Sequence, residues 1–447
     1  MKLWDKGISI NKLIEAFTAG KDQEMDLYLA RYDILGTIAH IIMLESIGLL
    51  SAGELKMLLP ALHDIYKDIG EGKFSIESGV EDVHSQVELL LTKNLGDTGK
   101  KVHSGRSRND QVLLDIKLFV RYELTEIVKS VHHLFEVLIN LSEKHKDVII
   151  PGYTHLQVAM PSSFGLWFGA YAESLTDDLQ LMLAAYKINN QNPLGSAAGY
   201  GSSFPLNRQL TTDLLGFERM NYNVVYAQMG RGKVERTVAS ALASVASTIS
   251  KMAADVCLFM SQNFGFVSLP DEFTTGSSIM PHKKNPDVFE LLRAKCNKVQ
   301  ALANEILIIS NNLPSGYFRD FQIIKESFFP SFEQMKECLG IAAFICGKLI
   351  VNNTVLEDEK YKFLYTVEDV NREVLKGVPF RQAYEKIGKE VLNGSYQPSR
   401  EIKHTHEGSI GNLCNDMIKE KMESVLASFH FEAGEQAIQK LLTWEGK

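Results

Sequence analysis

The sequence contains little of what marks a secreted, disulfide-bonded or membrane-spanning protein. Its five cysteines are scattered, odd in number and free of C-x-x-C spacing: Cys257, Cys296, Cys338, Cys346 and Cys414. This usage predicts reduced thiols rather than a disulfide framework or a zinc site. The N-terminal segment lacks the apolar core of a signal peptide, and no uninterrupted apolar run approaches about 18 residues. We therefore predict a cytoplasmic protein without a membrane partner.

Nucleotide-binding and nucleic-acid-binding patterns are also missing. There is no P-loop, and no G-x-G-x-x-G sequence follows a predicted strand. The net charge of −8 and the pI near 5.9 argue against a nucleic-acid or anionic-membrane partner. Because the chain is acidic overall, it must concentrate its cations locally wherever it binds anions.

The dominant positive signal is helical periodicity. Apolar residues recur at three- and four-residue spacing from Leu113 to Leu141, which predicts one helix of about 35 residues, roughly 50 Å long. Similar patterns cover about 162–189, 234–259, 286–311 and 328–351, whereas strand-like alternation is confined to short pieces near 148–150. Each of these helices therefore carries a long apolar stripe, here called a seam, which needs partner helices along its whole length.

This periodicity predicts an all-α chain of three domains. Residues 1–104 form an N-terminal helical domain, 105–353 a central bundle of long helices, and 354–447 a small C-terminal helical domain. Partner helices for the central seams are expected to come partly from other subunits.

Three polar loops at helix boundaries contain the candidate binding and catalytic residues. The first, residues 103–111, reads HSGRSRNDQ and favours a carboxylate site, although a capped helix start with solvated arginines is the alternative. The second, 152–161, reads GYTHLQVAMP and holds a histidine suited to acid catalysis or to structural hydrogen bonding. The third, 276–287, reads GSSIMPHKKNPD. It combines a proton acceptor with several donors, as proton abstraction beside a carboxylate requires, and a basic surface loop is its alternative.

The third loop resembles the GSSxMPxKxNP signature of the fumarase/aspartase superfamily, whose members eliminate across a C–N or C–O bond to release fumarate. Together, the three loops resemble the argininosuccinate lyases, as do YDILG at 32–36 and EDVH at 81–84. The resemblance implies the superfamily fold and reversible anti elimination of argininosuccinate to L-arginine and fumarate, in arginine biosynthesis. It also implies no metal or organic cofactor, and a homotetramer whose composite active sites combine loops from three subunits.

The resemblance also implies a catalytic set, namely Ser277, His155, Lys283, Asn285, Glu290 and Thr154. Ser277 corresponds to the base that takes the Cβ proton of the succinyl moiety. Lys283 and Asn285 correspond to the groups that stabilise the resulting carbanion. His155, oriented by Glu290, acts on the acid side. A serine alkoxide is implausible at the ordinary hydroxyl pKa, so the loop amides and Lys283 must favour it.

Substrate-binding residues follow from the same resemblance. The first loop and the segment after the fourth long helical pattern contribute most of them: Ser107, Arg108, Asn109, Tyr317, Gln322, Lys325, Asp26 and His84. The first three correspond to residues that hold the fumaryl carboxylates. Tyr317, Gln322 and Lys325 correspond to residues that grip the arginine portion, with an acidic group at its far end.

The chain departs from the argininosuccinate lyase pattern at several positions. Gly20 stands where a serine is usual, and of the usual Ser-Asp-Arg-Asp-Phe only Arg231 persists. We expect Arg231 to contact substrate and Lys233 to add a compensating charge, and a surface turn with Lys233 in solvent is the alternative. His282 replaces the usual glutamine and matches the MPHK of adenylosuccinate lyases, which are the first alternative, although GRSRNDQ disfavours them. A catalytically silent relative, as among lens crystallins, is the second alternative, and the intact Ser277 and Lys283 disfavour it.

Overall fold

The computed structural model describes residues 11–444, and most of this range is helical. The α-helices are α1 (Lys12–Ala19), α2 (Asp22–Asp26), α3 (Ala30–Ser46), α4 (Ala52–Gly70), α5 (Val83–Leu95), α6 (Asp97–Lys100), α7 (Arg108–Lys144), α8 (Phe164–Asn189), α9 (Arg208–Leu214), α10 (Val224–Met229), α11 (Lys233–Phe259), α12 (Asp287–Ser310), α13 (Asp320–Cys346), α14 (Thr366–Leu375), α15 (Phe380–Leu392), α16 (Asn415–Ala427) and α17 (Phe431–Leu442). Short 3-10 turns lie at Leu27–Leu29, Lys101–His103, Asp271–Phe273, Val355–Glu357 and Glu359–Tyr365.

The five long helices α7, α8, α11, α12 and α13 form the central bundle. Helix α7 has 37 residues and is about 55 Å long, as its periodicity predicted. It begins before the apolar pattern because Ser107 and Asp110 form a capping box at its N-terminus. One continuous apolar core joins the helices, with Phe119 of α7 and Phe332 of α13 at 5.3 Å between ring centroids.

We call the two ends of this bundle the Arg108 end and the His155 end. At the Arg108 end, α7 and α13 begin, and Arg231, just before α11, donates to the carbonyl of Phe321 in the first turn of α13 at 2.9 Å. At the His155 end, α7 ends and α8 begins, joined by the Phe164 amide donating to Val148 at 3.0 Å. Helices α11 and α13 also finish at this end.

Strand structure is more extensive at the second loop than the sequence predicted. Strands β1 (Ile149–Thr154) and β2 (Gln157–Ser163) form an antiparallel hairpin. Its two-residue turn places His155 and Leu156 at φ of 52° and 57°, the left-handed region that matches the twist of a tight hairpin. Shorter pairs join β3 (Gln191–Asn192) to β4 (Arg219–Met220), β5 (Val267–Ser268) to β8 (Ile350–Val351), and β6 (Thr275–Gly276) to β7 (Lys284–Asn285).

One predicted helix is displaced along the sequence. The apolar pattern predicted a helix over about 328–351. Helix α13 instead begins at Asp320 and holds Pro330 in its interior. It ends at Cys346, since Ile350 and Val351 pair with β5.

The C-terminal part of the chain packs in two ways. Helices α16 and α17 join the main core, whereas Val370, Ala383, Ile387 and Tyr396 form a separate small apolar cluster around α14 and α15. The predicted boundaries near 104 and 353 stay a prediction.

Two helical stretches are long and apolar enough, by composition alone, to cross a membrane. They are Ala16–Ser46 and Lys233–Phe259, and 83% and 50% of their apolar windows are buried inside the fold. Both stretches pack as core helices against their neighbours.

Candidate active site

The first loop supplies the N-terminus of α7. The hydroxyl of Ser107 accepts the amide of Asn109 at 3.3 Å, and the amide of Ser107 donates to Asp110 at 2.9 Å. Asp110 also accepts the amides of Gly195 and Ala197, which ties the 193–201 loop to this helix start. The first turn of a 37-residue helix therefore lies half-buried, with a positive helix end suited to an anion.

Arg108 is held by the segment that precedes and begins α5. Its guanidinium donates to Glu81 at 2.7 Å and to the Ser85 hydroxyl at 2.6 Å, and its Nε lies 3.3 Å from Asp82. This places the predicted carboxylate-binding arginine in a fixed orientation. A substrate carboxylate would compete with Glu81 and Asp82 for the N–H groups of this guanidinium.

His84 lies in a buried ionic cluster beside this loop. Its Nδ1 is 2.7 Å from Asp33 and 3.7 Å from Asp115. Burial opposes the imidazolium charge, but the nearby carboxylates outweigh it and raise the pKa of His84 to about 10. The histidine and the buried Arg106 balance the two carboxylates, so His84 contributes a fixed positive charge close to the predicted anion site.

Asp26 and Lys325 are brought together from opposite parts of the chain. The Lys325 ammonium donates to Asp26 at 2.7 Å and also contacts Asp22. Burial opposes the charge on Lys325, but the two carboxylates outweigh it and raise the pKa of the ammonium. This pair joins α2 to α13 at the Arg108 end.

Gln322 and Tyr317 lie at the same end on and before α13. The Gln322 amide donates to the carbonyls of Thr18 and Ala19 at 3.1 and 3.0 Å, which secures the C-terminus of α1. The Tyr317 ring lies 6.0 Å from the guanidinium carbon of Arg231. Arg231 itself is 4% exposed, because it forms an ion pair with Glu235 at 2.7 Å.

Thr154 and His155 lie at the other end, on the tip of the β1–β2 hairpin. Both side chains are exposed. The hairpin is anchored by Tyr153, whose ring packs against Phe264 with centroids 5.5 Å apart. It therefore presents His155 outward from the fold of its own chain.

The third loop emerges from the His155 end between α11 and α12. The Ser277 hydroxyl oxygen accepts the backbone amides of Met280 at 3.1 Å and Ile279 at 3.4 Å. These two donors would also stabilise an alkoxide on the same oxygen, because hydrogen bonds to the charged form favour that form. Ser277 is half-buried, whereas the adjoining residues 278–284 are exposed.

Lys283, Asn285 and Glu290 surround this serine in sequence but are held differently. Asn285 pairs with Thr275 across the short β6–β7 ladder, and its amide donates to the Thr275 hydroxyl at 3.3 Å. Lys283 and Glu290 are exposed. Among residues 11–444, no hydrogen bond or ion pair joins Glu290 to His155.

The predicted residues thus divide between the two ends of the bundle. All of the predicted substrate-binding residues lie at the Arg108 end, and all of the predicted catalytic residues lie at or project from the His155 end. Helix α7 separates the two groups by about 50 Å. A site that uses both groups must combine ends from different chains.

Several residues of the Arg108 end were not predicted individually. Glu81, Asp82 and Asp22 hold the predicted cations, and Arg319 donates to Glu81 at 3.2 Å. The EDVH motif contained the first two, but it gave no sign that they pair with Arg108. Their partners are far away in the sequence, so only packing reveals them.

Comparisons with known proteins identify the family. A family model described as a lyase matches residues 7–301. A curated argininosuccinate lyase of Parabacteroides distasonis is 64% identical over 441 residues, covering 99% of each chain, and one of Phocaeicola vulgatus is 64% identical with the same coverage. The solved structure of an EDDS lyase variant with bound fumarate shares the fold, with a TM-score of 0.75 at 20% identity, covering 95% of this chain and 94% of that one.

The fold and the matching family model together define a lyase of the fumarase/aspartase class. Within that class, the full-length identity places the chain in a narrower group. The chain belongs to the argininosuccinate lyase family.

Proposed function

We propose that this protein cleaves argininosuccinate reversibly to L-arginine and fumarate by anti elimination. The observation that carries the chemistry is the Ser277 hydroxyl oxygen, which accepts the amides of Ile279 and Met280. Full-length similarity to argininosuccinate lyases supports the choice of substrate over adenylosuccinate, despite His282. Arginine biosynthesis in the cytoplasm is the corresponding role.

The proposed reaction begins at Ser277. As the alkoxide, Ser277 takes the Cβ proton of the succinyl moiety, and the electron pair of that bond delocalises into the adjacent carboxylate. Lys283 and Asn285 stabilise this developing negative charge, which is where fixed donors contribute most to rate. The electron pair then forms the carbon–carbon double bond of fumarate.

The proposed acid side completes the elimination. The electron pair of the bond between Cα and the guanidino nitrogen leaves with the nitrogen as that bond breaks. Protonated His155 gives its proton to this nitrogen, so arginine departs with its guanidino group protonated. Glu290 and Thr154 orient His155. Ser277 and His155 return to their starting protonation states by exchange with solvent after product release.

Substrate recognition is proposed for the Arg108 end. Ser107, Arg108 and Asn109 bind the carboxylates of the succinyl moiety at the positive end of α7. Tyr317, Gln322, Lys325 and Asp26 bind the arginine portion, and the imidazolium of His84 adds positive charge behind the carboxylate site. Arg108 exchanges Glu81 or Asp82 for a substrate carboxylate, since the three compete for one guanidinium.

The separation of the two ends supports a composite site in a homotetramer. Three chains would contribute the first, second and third loops to each site. Sedimentation analysis at assay concentration tests the assembly, and a fully active monomer would refute it.

Mixing two inactive variants tests the composite site itself. Asn109→Ala alters the Arg108 end, and Ser277→Ala alters the loop at the His155 end. Each variant alone is expected to be nearly inactive. Co-expressed hetero-oligomers should regain activity, because some sites then draw every loop from an intact copy. Activity no greater than the sum of the two variants would reject a site shared between chains.

A direct assay separates the candidate reactions. Ultraviolet absorbance of fumarate is followed with argininosuccinate and, separately, with adenylosuccinate. Activity on argininosuccinate alone supports the proposal, activity on adenylosuccinate supports the first alternative, and inactivity on both supports a silent relative.

A further inference from the structure

A cavity of about 790 Å³ lies outside the candidate active site, between α3, α4, α9 and the C-terminal end of α17. Its volume is in the range of small-molecule sites. None of the predicted catalytic or substrate-binding residues lines it. Its principal wall is one face of α4, where lining residues recur at three- and four-residue spacing: Ala52, Leu55, Lys56, Leu59, Pro60 and His63.

The cavity combines an apolar wall with polar groups that lack partners. Leu55, Leu59 and Leu442 contribute apolar surface. Within the described residues, the indole N–H of Trp444 and Nε2 of His63 are buried without a hydrogen-bond partner. A buried N–H without an acceptor is unfavourable, so a ligand that accepts from Trp444 would be stabilised there.

Charges of both signs line the same cavity. In the range 11–444, neither Glu45 nor Lys56 lies within ion-pair distance of an opposite charge. Pro60 adds a further acceptor, because it has no N–H and cannot donate the helical bond to the carbonyl of Lys56. An ammonium group can therefore be received by Glu45 and this carbonyl, and a carboxylate by the Lys56 ammonium and Trp444.

We propose that this cavity binds a free α-amino acid with a large apolar side chain. The ammonium group pairs with Glu45, the carboxylate with Lys56 and Trp444, and the side chain packs on Ile42 of α3 and on the leucines of α4 and α17. A purely apolar ligand pairs with none of the polar groups of Glu45, Lys56 and Trp444, and a simple anion does not pair with Glu45. This inference does not depend on the proposed lyase reaction.

Calorimetric titration of the full-length protein tests the proposal with L-leucine as the probe. Two matched probes each lack one charge: leucinamide has no carboxylate, and 4-methylpentanoate has no ammonium. L-leucine is expected to bind, and each matched probe should bind at least about tenfold more weakly. Absence of binding up to about 10 mM L-leucine, or equal binding of all three probes, would overturn the proposal.

Variants locate the binding in the cavity. Lys56→Met and Glu45→Gln should each weaken L-leucine binding about tenfold or more, whereas Lys67→Met, which changes an exposed lysine on α4 outside the cavity, should not. Ala52→Trp should place an indole at the cavity wall and weaken binding. If Lys56→Met and Glu45→Gln bind L-leucine as the wild type does, the ligand lies elsewhere and the assignment is wrong. Fumarate release by these variants reports separately on the lyase site, since neither residue belongs to it.

Discussion

Lys325 and Asp26 lie 299 residues apart in the sequence, and the ammonium of one donates to the carboxylate of the other at 2.7 Å. Both side chains are buried, and Asp22 provides a second carboxylate on the same ammonium. Burial raises the pKa of Asp22, even though Lys325 opposes the shift. The pair fixes α2 against α13 and so shapes the proposed pocket for the arginine portion of the substrate.

Removing the lysine of this pair should destabilise the fold. Lys325→Met leaves the buried Asp26 and the half-buried Asp22 without their cation and is expected to lower the free energy of unfolding by about 3–5 kcal/mol. Asp26→Asn should cost less, because Asp22 still pairs with Lys325. Urea unfolding measures both, with Lys100→Met as the control, since its exposed pair with Asp97 should be worth at most about 1 kcal/mol. Equal stability of Lys325→Met and wild type would contradict this account.

Ser277→Ala should abolish turnover without unfolding the protein. A positioned base is expected to contribute at least about 10²–10⁴-fold to rate. Among residues 11–444, the half-buried hydroxyl oxygen accepts hydrogen bonds only from amides of its own loop. Steady-state kinetics measure the loss, and thermal melting checks the fold. Ser278→Ala changes the exposed neighbour and should remain active. A variant that keeps more than about a tenth of wild-type kcat would exclude Ser277 as the base.

Lys283 and Lys284 are adjacent, yet only the first is expected to act in catalysis. Lys284 forms an ion pair with Asp271, whereas Lys283 is exposed on the loop that holds Ser277. Lys283→Met should lower kcat more than it raises KM, because its charge serves the transition state. Lys284→Met is the matched control and should change kcat little. A rise in KM alone for Lys283→Met would make it a ground-state binding residue.

Arg231 and Lys233 are close in sequence but should contribute differently to the free energy of unfolding. Arg231 is buried against Glu235, so Arg231→Ala should leave a buried carboxylate uncompensated and cost about 3–5 kcal/mol of unfolding free energy. Lys233 lies over the exposed ring of Tyr226 at 5.4 Å, and Lys233→Ala should cost no more than about 1 kcal/mol. Chemical denaturation compares the two. If Arg231 contacts substrate as the sequence predicts, the folded fraction of Arg231→Ala should also have a higher KM than the wild type.

Lys117 should make stability depend on pH. Burial lowers the pKa of this ammonium to about 7, against the attraction of Glu235. Between about pH 7 and the ordinary lysine pKa near 10.4, the unfolded chain therefore binds more protons than the folded chain, and stability attributable to this group rises with pH. Below about pH 7 both states are protonated, and the full cost of the buried charge remains.

Lys117→Met tests whether stability rises with pH because of this lysine. The variant should be more stable than wild type near neutral pH, and the difference should shrink as pH rises toward about 10. Urea unfolding of both proteins across this range measures it. A difference that stays constant with pH would mean that Lys117 does not titrate as inferred.

Much of the secondary structure could be predicted from sequence because its signals are local. The apolar spacing after Leu113 and the capping box of Ser107 are contained within one segment, and they gave the length of α7 closely. The hairpin at the second loop was underestimated, because its strands pair through backbone groups and its turn contains His155 and Leu156 rather than glycine. The start of α13 was predicted near 328, whereas the helix begins at Asp320 and holds Pro330 in its interior.

The sequence by itself determined the long helices, their caps and the chemical groups of three polar loops, since each depends on neighbours within a few residues. Only the tertiary structure decided which groups meet. It joined Asp26 to Lys325, buried Arg231 against Glu235, and set Arg108 and His155 at opposite ends of one bundle. The physical reason is that a helix is fixed by bonds between residues four apart. Ion pairs between distant residues depend instead on how whole helices pack.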